Sequence, residues 1–190
     1  MNITRDLLLG MFGRPQGVLG RLGGVIMART NKRCGMWVIE LLQITPTDAV
    51  LELGFGPGVI IERISQRAAT THVAGVDASS VMVKQARIRN AAAIETGQVD
   101  LRHGSVENLS FRDNTFDKAL AVNSMQVWTD ALAGLREVRR VLKPAATLAL
   151  GFTAYSGQSK AGLRELLSSA GYTTSQVLEK ENWFCVLASK

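Results

Sequence analysis

The residues best suited to chemistry lie between positions 50 and 58, Val50-Leu51-Glu52-Leu53-Gly54-Phe55-Gly56-Pro57-Gly58. An apolar run ends in a glycine-rich turn, and a segment of helical apolar spacing follows. Gly54 and Gly56 lack a Cβ, so the chain can turn sharply there and approach a ligand closely. A helix beginning after Pro57 would offer free N–H groups to a carboxylate or phosphate. The spacing then narrows the ligand. A dinucleotide fingerprint needs a third glycine where this chain has Val59, and a phosphate loop needs a Gly-Lys-Ser or Gly-Lys-Thr ending that is missing. Asp77 follows Gly58 by 19 positions, inside Gly75-Val76-Asp77-Ala78-Ser79. A carboxylate there can accept both hydrogen bonds of a ribose diol and would repel a ribose 2′-phosphate.

These residues need elements that hold them together. The apolar pattern predicts strands at 49–53, 72–76, 99–102, 116–122 and 146–152, then two short strands near 174–178 and 183–188. Helices are predicted at about 25–42, 57–68, 79–92, from Asp130 to before Pro144, and at 158–170. Ser79 suits an N-cap and Gly171 a left-handed C-cap. Strands alternating with helices imply an α/β fold, doubly wound, with a mostly parallel seven-stranded sheet covered by helices on both faces. The closing strands form a C-terminal antiparallel hairpin. In such a sheet the Gly54 turn lies at the carboxyl edge, where ligands bind.

The chain has 190 residues with 46% hydrophobic content, consistent with one domain and a real core. No stretch reaches the ~20 apolar residues of a membrane helix. Asp6 and Gly10 argue against a secretory leader, so a cytoplasmic protein is expected. Cys34 and Cys185 form no CxxC pair, and His72 and His103 are far apart in sequence, so no metal site is expected. The formal charge is +6, of which +5 falls in residues 1–35. That basic, Gly-rich segment is expected to be a lid separate from the body at 36–190, with Arg14 and Arg29 binding an anionic substrate. A solvated helix face explains the same charges equally well.

With Glu52-Leu53-Gly54-Phe55-Gly56-Pro57-Gly58 and Gly75-Val76-Asp77-Ala78-Ser79 in view, the chain resembles the Rossmann-like S-adenosylmethionine-dependent methyltransferases, especially the ubiquinone/menaquinone-methyltransferase-like group. Gly104-Ser105-Val106-Glu107-Asn108-Leu109-Ser110-Phe111, Asn114-Thr115-Phe116-Asp117 and Glu137-Val138-Arg139-Arg140-Val141-Leu142-Lys143-Pro144 resemble later motifs of that family, in order. The resemblance implies S-adenosyl-L-methionine as cofactor. It implies that the turn of Gly54, Phe55, Gly56 and Gly58 wraps the methionine part and that Asp77 binds the ribose. Ala78 and Met82 would pack near adenine, Ser105 and Val106 would border its edge, and Asn123 would lie beside the cofactor. Ser105 replaces the family's usual Asp, which weakens the adenine contact unless Glu107 contributes. Ala145-Ala146 replaces the usual Gly-Gly and is expected to matter only to a turn.

Methyl transfer from a sulfonium calls for alignment and exclusion of water, and no dedicated base is evident in the sequence. His103 is a candidate base, although a surface imidazole is the simpler reading. Asn123, Ser124, Gln126, Trp128 and Tyr155 are expected on loops facing the methyl, with Trp128 available for a cation–π contact or plain packing. Glu52 either complements the cationic groups of the cofactor or is a hydrogen-bonded buried carboxylate. The expected activity is methylation of a small-molecule acceptor. The alternatives are a nucleic-acid methyltransferase, opposed by the lack of RNA- or DNA-binding signatures, a nicotinamide-dependent reductase, opposed by Val59, and a non-catalytic S-adenosylmethionine-binding module.

Overall fold

The computed structural model describes residues 31–67 and 71–190. A helix over 31–42 (α1) precedes β1 (Ala49–Leu53), α2 (Val59–Ser65), β2 (His72–Asp77), α3 (Ser80–Arg89), α4 (Ala91–Glu95) and β3 (Val99–His103). The second half runs β4 (Phe116–Val122), α5 (Ala131–Val141), β5 (Leu142–Phe152), α6 (Leu163–Ser169), β6 (Thr174–Lys180) and β7 (Trp183–Ser189). The seven strands form one sheet in the order β3-β2-β1-β4-β5-β7-β6. The first five strands pair in parallel, and β7 pairs antiparallel with both β5 and β6. This is the doubly wound, mostly parallel architecture expected from the sequence.

Because side chains alternate across a strand, each strand feeds two cores. Leu51 and Leu53 of β1 join Leu135 and Val138 of α5 on one face. Val50 joins Val38 of α1, Ile61 and Ile64 of α2, and Cys185 on the other. Glu52 shares the parity of Val50, so its carboxylate points to the α1–α2 face among apolar side chains. The chain builds outward from β1 to β3 and returns to β4 on the other side of β1. That reversal leaves a crevice beyond the carboxyl ends of β1 and β4.

Several boundaries differ from the sequence expectation. The helix expected at 57–68 begins only at Val59, because Gly58 adopts a left-handed conformation (φ 77°) as its N-cap. The helix expected at 79–92 keeps its Ser79 cap, with Oγ accepting from the Met82 amide, but divides at Asn90. Asn90 donates its side-chain amide to the carbonyls of Ala86 and Gly58, competing with the helix backbone. β5 starts four residues early: Phe116 pairs with Leu142, Lys118 with Thr147, and the intervening chain bulges around Ala145 at φ 62°. The helix expected at 158–170 is confined to Leu163–Ser169, after Gly162 in a left-handed turn.

α1 crosses the expected 35/36 boundary without a break, and Cys34 and Gly35 are buried within it. Val25, Ile26, Arg14, Arg29 and the Gly-rich lid expected at the N-terminus lie outside the described residues. Cys34 and Cys185 are free buried thiols, and burial pushes each up to about 12. No helix among the described residues is long and apolar enough to cross a membrane.

Candidate functional site

A crevice open to solvent lies at the β1–β4 reversal. Glu52, Gly54, Phe55, Gly56 and Pro57 line it from the end of β1 and the following turn, and Val59 and Ile60 from α2. Val122 and Asn123 line it from the end of β4, and Asn31 and Lys32 from α1. The turn is built by conformation. Gly54 and Gly56 take φ values of 68° and 54°, and the Gly54 amide donates to the Val76 carbonyl at 2.7 Å. A Cβ on Gly54 would stand 2.1 Å from the Ser124 hydroxyl, so only glycine lets β1 pass so close to the β4 loop.

Asp77 ends β2 beside this turn. Its Oδ2 accepts from the Gly56 amide and its Oδ1 from the Ser79 amide, both at 2.8 Å. Each oxygen keeps a lone pair, so the carboxylate can accept two further hydrogen bonds, as a ribose diol requires. Burial raises the Asp77 carboxyl above its ordinary range, and the two amides oppose that shift only in part. Glu52 is 2% exposed, and its Oε2 has no hydrogen-bond partner. Burial drives its carboxyl well upward and the nearby Asp77 adds to this, against a lowering contribution from the Ile61 amide. A buried, half-satisfied carboxylate that lines an open crevice is costly unless a cationic group completes it.

The remaining expected site residues are distributed unevenly. Met82 is buried beneath the Ser79 cap and Val106 is buried, whereas Ala78 and Ser105 are exposed. The Ser105 hydroxyl donates to Glu107, whose second oxygen accepts from the Thr129 and Asp130 amides at 2.8 and 3.2 Å. Ser105 and Glu107 thus tie the β3 loop to the start of α5. His103 Nε2 lies 3.0 Å from the Ala78 carbonyl oxygen. A carbonyl only accepts, so Nε2 is the donor of this contact, and His103 is not among the residues that line the crevice.

Asn123, in a left-handed conformation (φ 48°), braces three elements. Its Nδ2 donates to Asn31 Oδ1 at 2.7 Å and to Thr153 Oγ1 at 2.8 Å, and its Oδ1 accepts from the Thr153 amide at 2.8 Å. Trp128 donates from Nε1 to Ser124 Oγ at 3.0 Å, and its ring packs on Gly134, so it serves as packing. Gln126 places a buried Oε1 without a partner on the same loop. Tyr155 is 87% exposed and does not line the crevice. The crevice lining therefore brings together Glu52, the glycine turn and Asn123, with Asp77 held beside it through the Gly56 amide, and leaves His103, Trp128 and Tyr155 outside. Sequence reasoning missed Asn31 and Lys32 as lining residues. The available signal was a polar pair at the start of the segment whose apolar spacing marks α1.

A family model described as "Methyltransferase domain" matches residues 50–145. The chain is similar to the uncharacterized methyltransferase YdaC of Bacillus subtilis, 34% identical over 129 residues, covering 68% of this chain and 69% of that protein. It is also similar to a demethylmenaquinone methyltransferase of Corynebacterium kroppenstedtii, 39% identical over 103 residues, covering 54% of this chain but only 41% of that longer protein. Among solved structures, an S-adenosylmethionine-dependent methyltransferase from Aquifex aeolicus superposes with a TM-score of 0.76 at 20% identity, covering 87% of this chain and 97% of that one.

Proposed function

The chain belongs to the methyltransferase-domain family and uses S-adenosylmethionine, and we propose that it methylates a small-molecule acceptor by positioning and water exclusion, without a strong general base. The observation that carries this reading is the pair of buried carboxylates at the glycine turn: Asp77, bound to the Gly56 amide with both oxygens able to accept again, and Glu52, lining the crevice with Oε2 unpaired.

These residues fit the cofactor. Asp77 would hold the ribose hydroxyls, and Glu52 would face the cationic part. The turn of Gly54 and Gly56 would let the backbone approach the methionine portion without a Cβ in the way. When bound, S-adenosylmethionine supplies an electrophilic methyl on a sulfonium, so the acceptor needs alignment more than deprotonation. Asn123 fixes the relative positions of α1, β4 and β5 around that point through three hydrogen bonds. The absence of a dedicated base is supported by the placement of His103 and Tyr155, neither of which lines the crevice.

A small acceptor is supported by the short connection from β5 to α6, which carries one 3-10 turn, Ala154–Ser156, and no inserted cap among the described residues. It is supported also by the quinone-type relatives, although the chain spans less than half of their length. The anionic character of the acceptor depends on Arg14 and Arg29, outside the described residues. The test is turnover of methyl-labelled cofactor against a panel of hydroxylated, amine and quinol acceptors, with duplex DNA and RNA as further arms. Label transfer to a small acceptor supports the reading. Transfer to nucleic acid alone, or calorimetric binding with no transfer to anything, overturns it.

A further inference from the structure

The crevice presents a buried carboxyl group and a lysine, and no contact among the described residues pairs either of them with an opposite charge. The Glu52 carboxylate is buried with an unpaired oxygen. Lys32 lines the same crevice from α1, and none of the ion pairs among the described residues uses it. Its position is set by packing. A Cβ on Gly35 would stand 2.1 Å from Ile60 Cδ1, so the absence of a side chain there brings α1 directly onto α2. Lys32 lies three residues before Gly35, on the same helix face, and is thereby held over the turn that carries Gly56 and Pro57. Asn123 pins the adjacent Asn31 at 2.7 Å, which fixes where α1 enters the crevice. Lys32 itself is exposed, so it costs little to hold as a cation until a ligand covers it.

An α-amino acid group carries one positive and one negative charge within a few bonds. We propose that Lys32 binds the α-carboxylate of S-adenosylmethionine while Glu52 faces its ammonium, so that the crevice recognises the zwitterionic end of the cofactor. This rests on the cofactor reading above and assigns a binding residue outside the 50–145 region that the family model matches.

The experiment is calorimetry on the full chain with S-adenosylmethionine and with its decarboxylated analogue, which keeps the adenosine, sulfonium and ammonium. A charge-assisted contact of this kind is worth about 10-fold in affinity. The wild type is expected to bind S-adenosylmethionine about 10-fold more tightly than the analogue. Lys32→Ala is expected to lose about 10-fold for S-adenosylmethionine while staying within about 2-fold for the analogue, and Lys32→Arg to retain most of the preference. Equal losses for both ligands, or none for either, overturn the assignment of Lys32 alone. A wild-type chain that binds neither ligand overturns the cofactor reading and this proposal together. Unchanged melting temperatures of the variants exclude a folding artefact.

Discussion

The hydroxyl of Ser124 occupies the space where a side chain on Gly54 would have to go, 2.1 Å from the position of its Cβ. The two residues come from the ends of β1 and β4, the strands that flank the crevice. Gly54→Ala therefore meets both a left-handed backbone, costing about 1–2 kcal/mol, and a side-chain collision. The expected result is a lower melting temperature and a calorimetric loss of S-adenosylmethionine binding. Adding Ser124→Gly should recover part of the stability, giving a double variant more stable than the sum of the single losses. Strict additivity would show that the contact is not the cause.

Asp77→Asn tests the ribose site. Both Asp77 oxygens accept a backbone amide, so one must be replaced by an NH2 group facing a donor. The expected cost is about 1–3 kcal/mol of stability, together with a 10- to 100-fold weaker cofactor affinity, measured by denaturant melts and calorimetry. An Asn variant that binds like the wild type would remove Asp77 from the site.

Glu52 makes the protein pH-sensitive in a defined direction. Its native carboxyl is raised well above the ordinary 4.5. The native state therefore holds a proton that the unfolded chain has released across that window, and stability falls as pH rises through it. In the same window a cationic ligand favours the ionised form. S-adenosylmethionine binding is expected to release protons, giving heats that vary with buffer ionisation enthalpy and an affinity that increases with pH. Glu52→Gln should flatten the stability slope, abolish the proton release and weaken binding by about 10-fold or more. Proton release that persists in the Gln variant would assign it to another group.

Ala145 provides a test away from the site. It sits in the β5 bulge at φ 62°, exposed, at the opposite end of β5 from the crevice. Glycine there relieves about 1–2 kcal/mol of left-handed strain and gives back part of it as chain entropy. Ala145→Gly is expected to stabilise by roughly 0.5–1 kcal/mol in denaturant melts, with cofactor affinity unchanged.

Much of this molecule could be read from its residues, for identifiable reasons. The Glu52–Gly58 turn and Asp77 were legible because their chemistry requires particular residue types at a fixed separation, and the strands because buried parallel strands read as short apolar runs. The ends of elements were less legible. Gly58 and Gly162 stop helices by conformation, Asn90 divides one by a side-chain hydrogen bond, and the β5 bulge depends on its pairing with β4. Asn31 and Lys32 reach the crevice only because Gly35 lets α1 rest on Ile60, a contact between positions far apart in sequence. Trp128 and Tyr155 sit on the expected loops, but loop membership does not set side-chain direction: one folds back onto Ser124 and Gly134, and the other extends into solvent.

The sheet is completed out of order. β7 is made after β6 yet lies between β5 and β6, pairing with both along its length. A nascent chain that has emerged from the ribosome only as far as Lys180 has an open β5 border with nothing to zip against, and the apolar partner positions Phe184, Cys185 and Val186 are still missing. Translation pauses before Trp183 would therefore leave a sticky, unclosed border of the kind that recruits neighbouring chains.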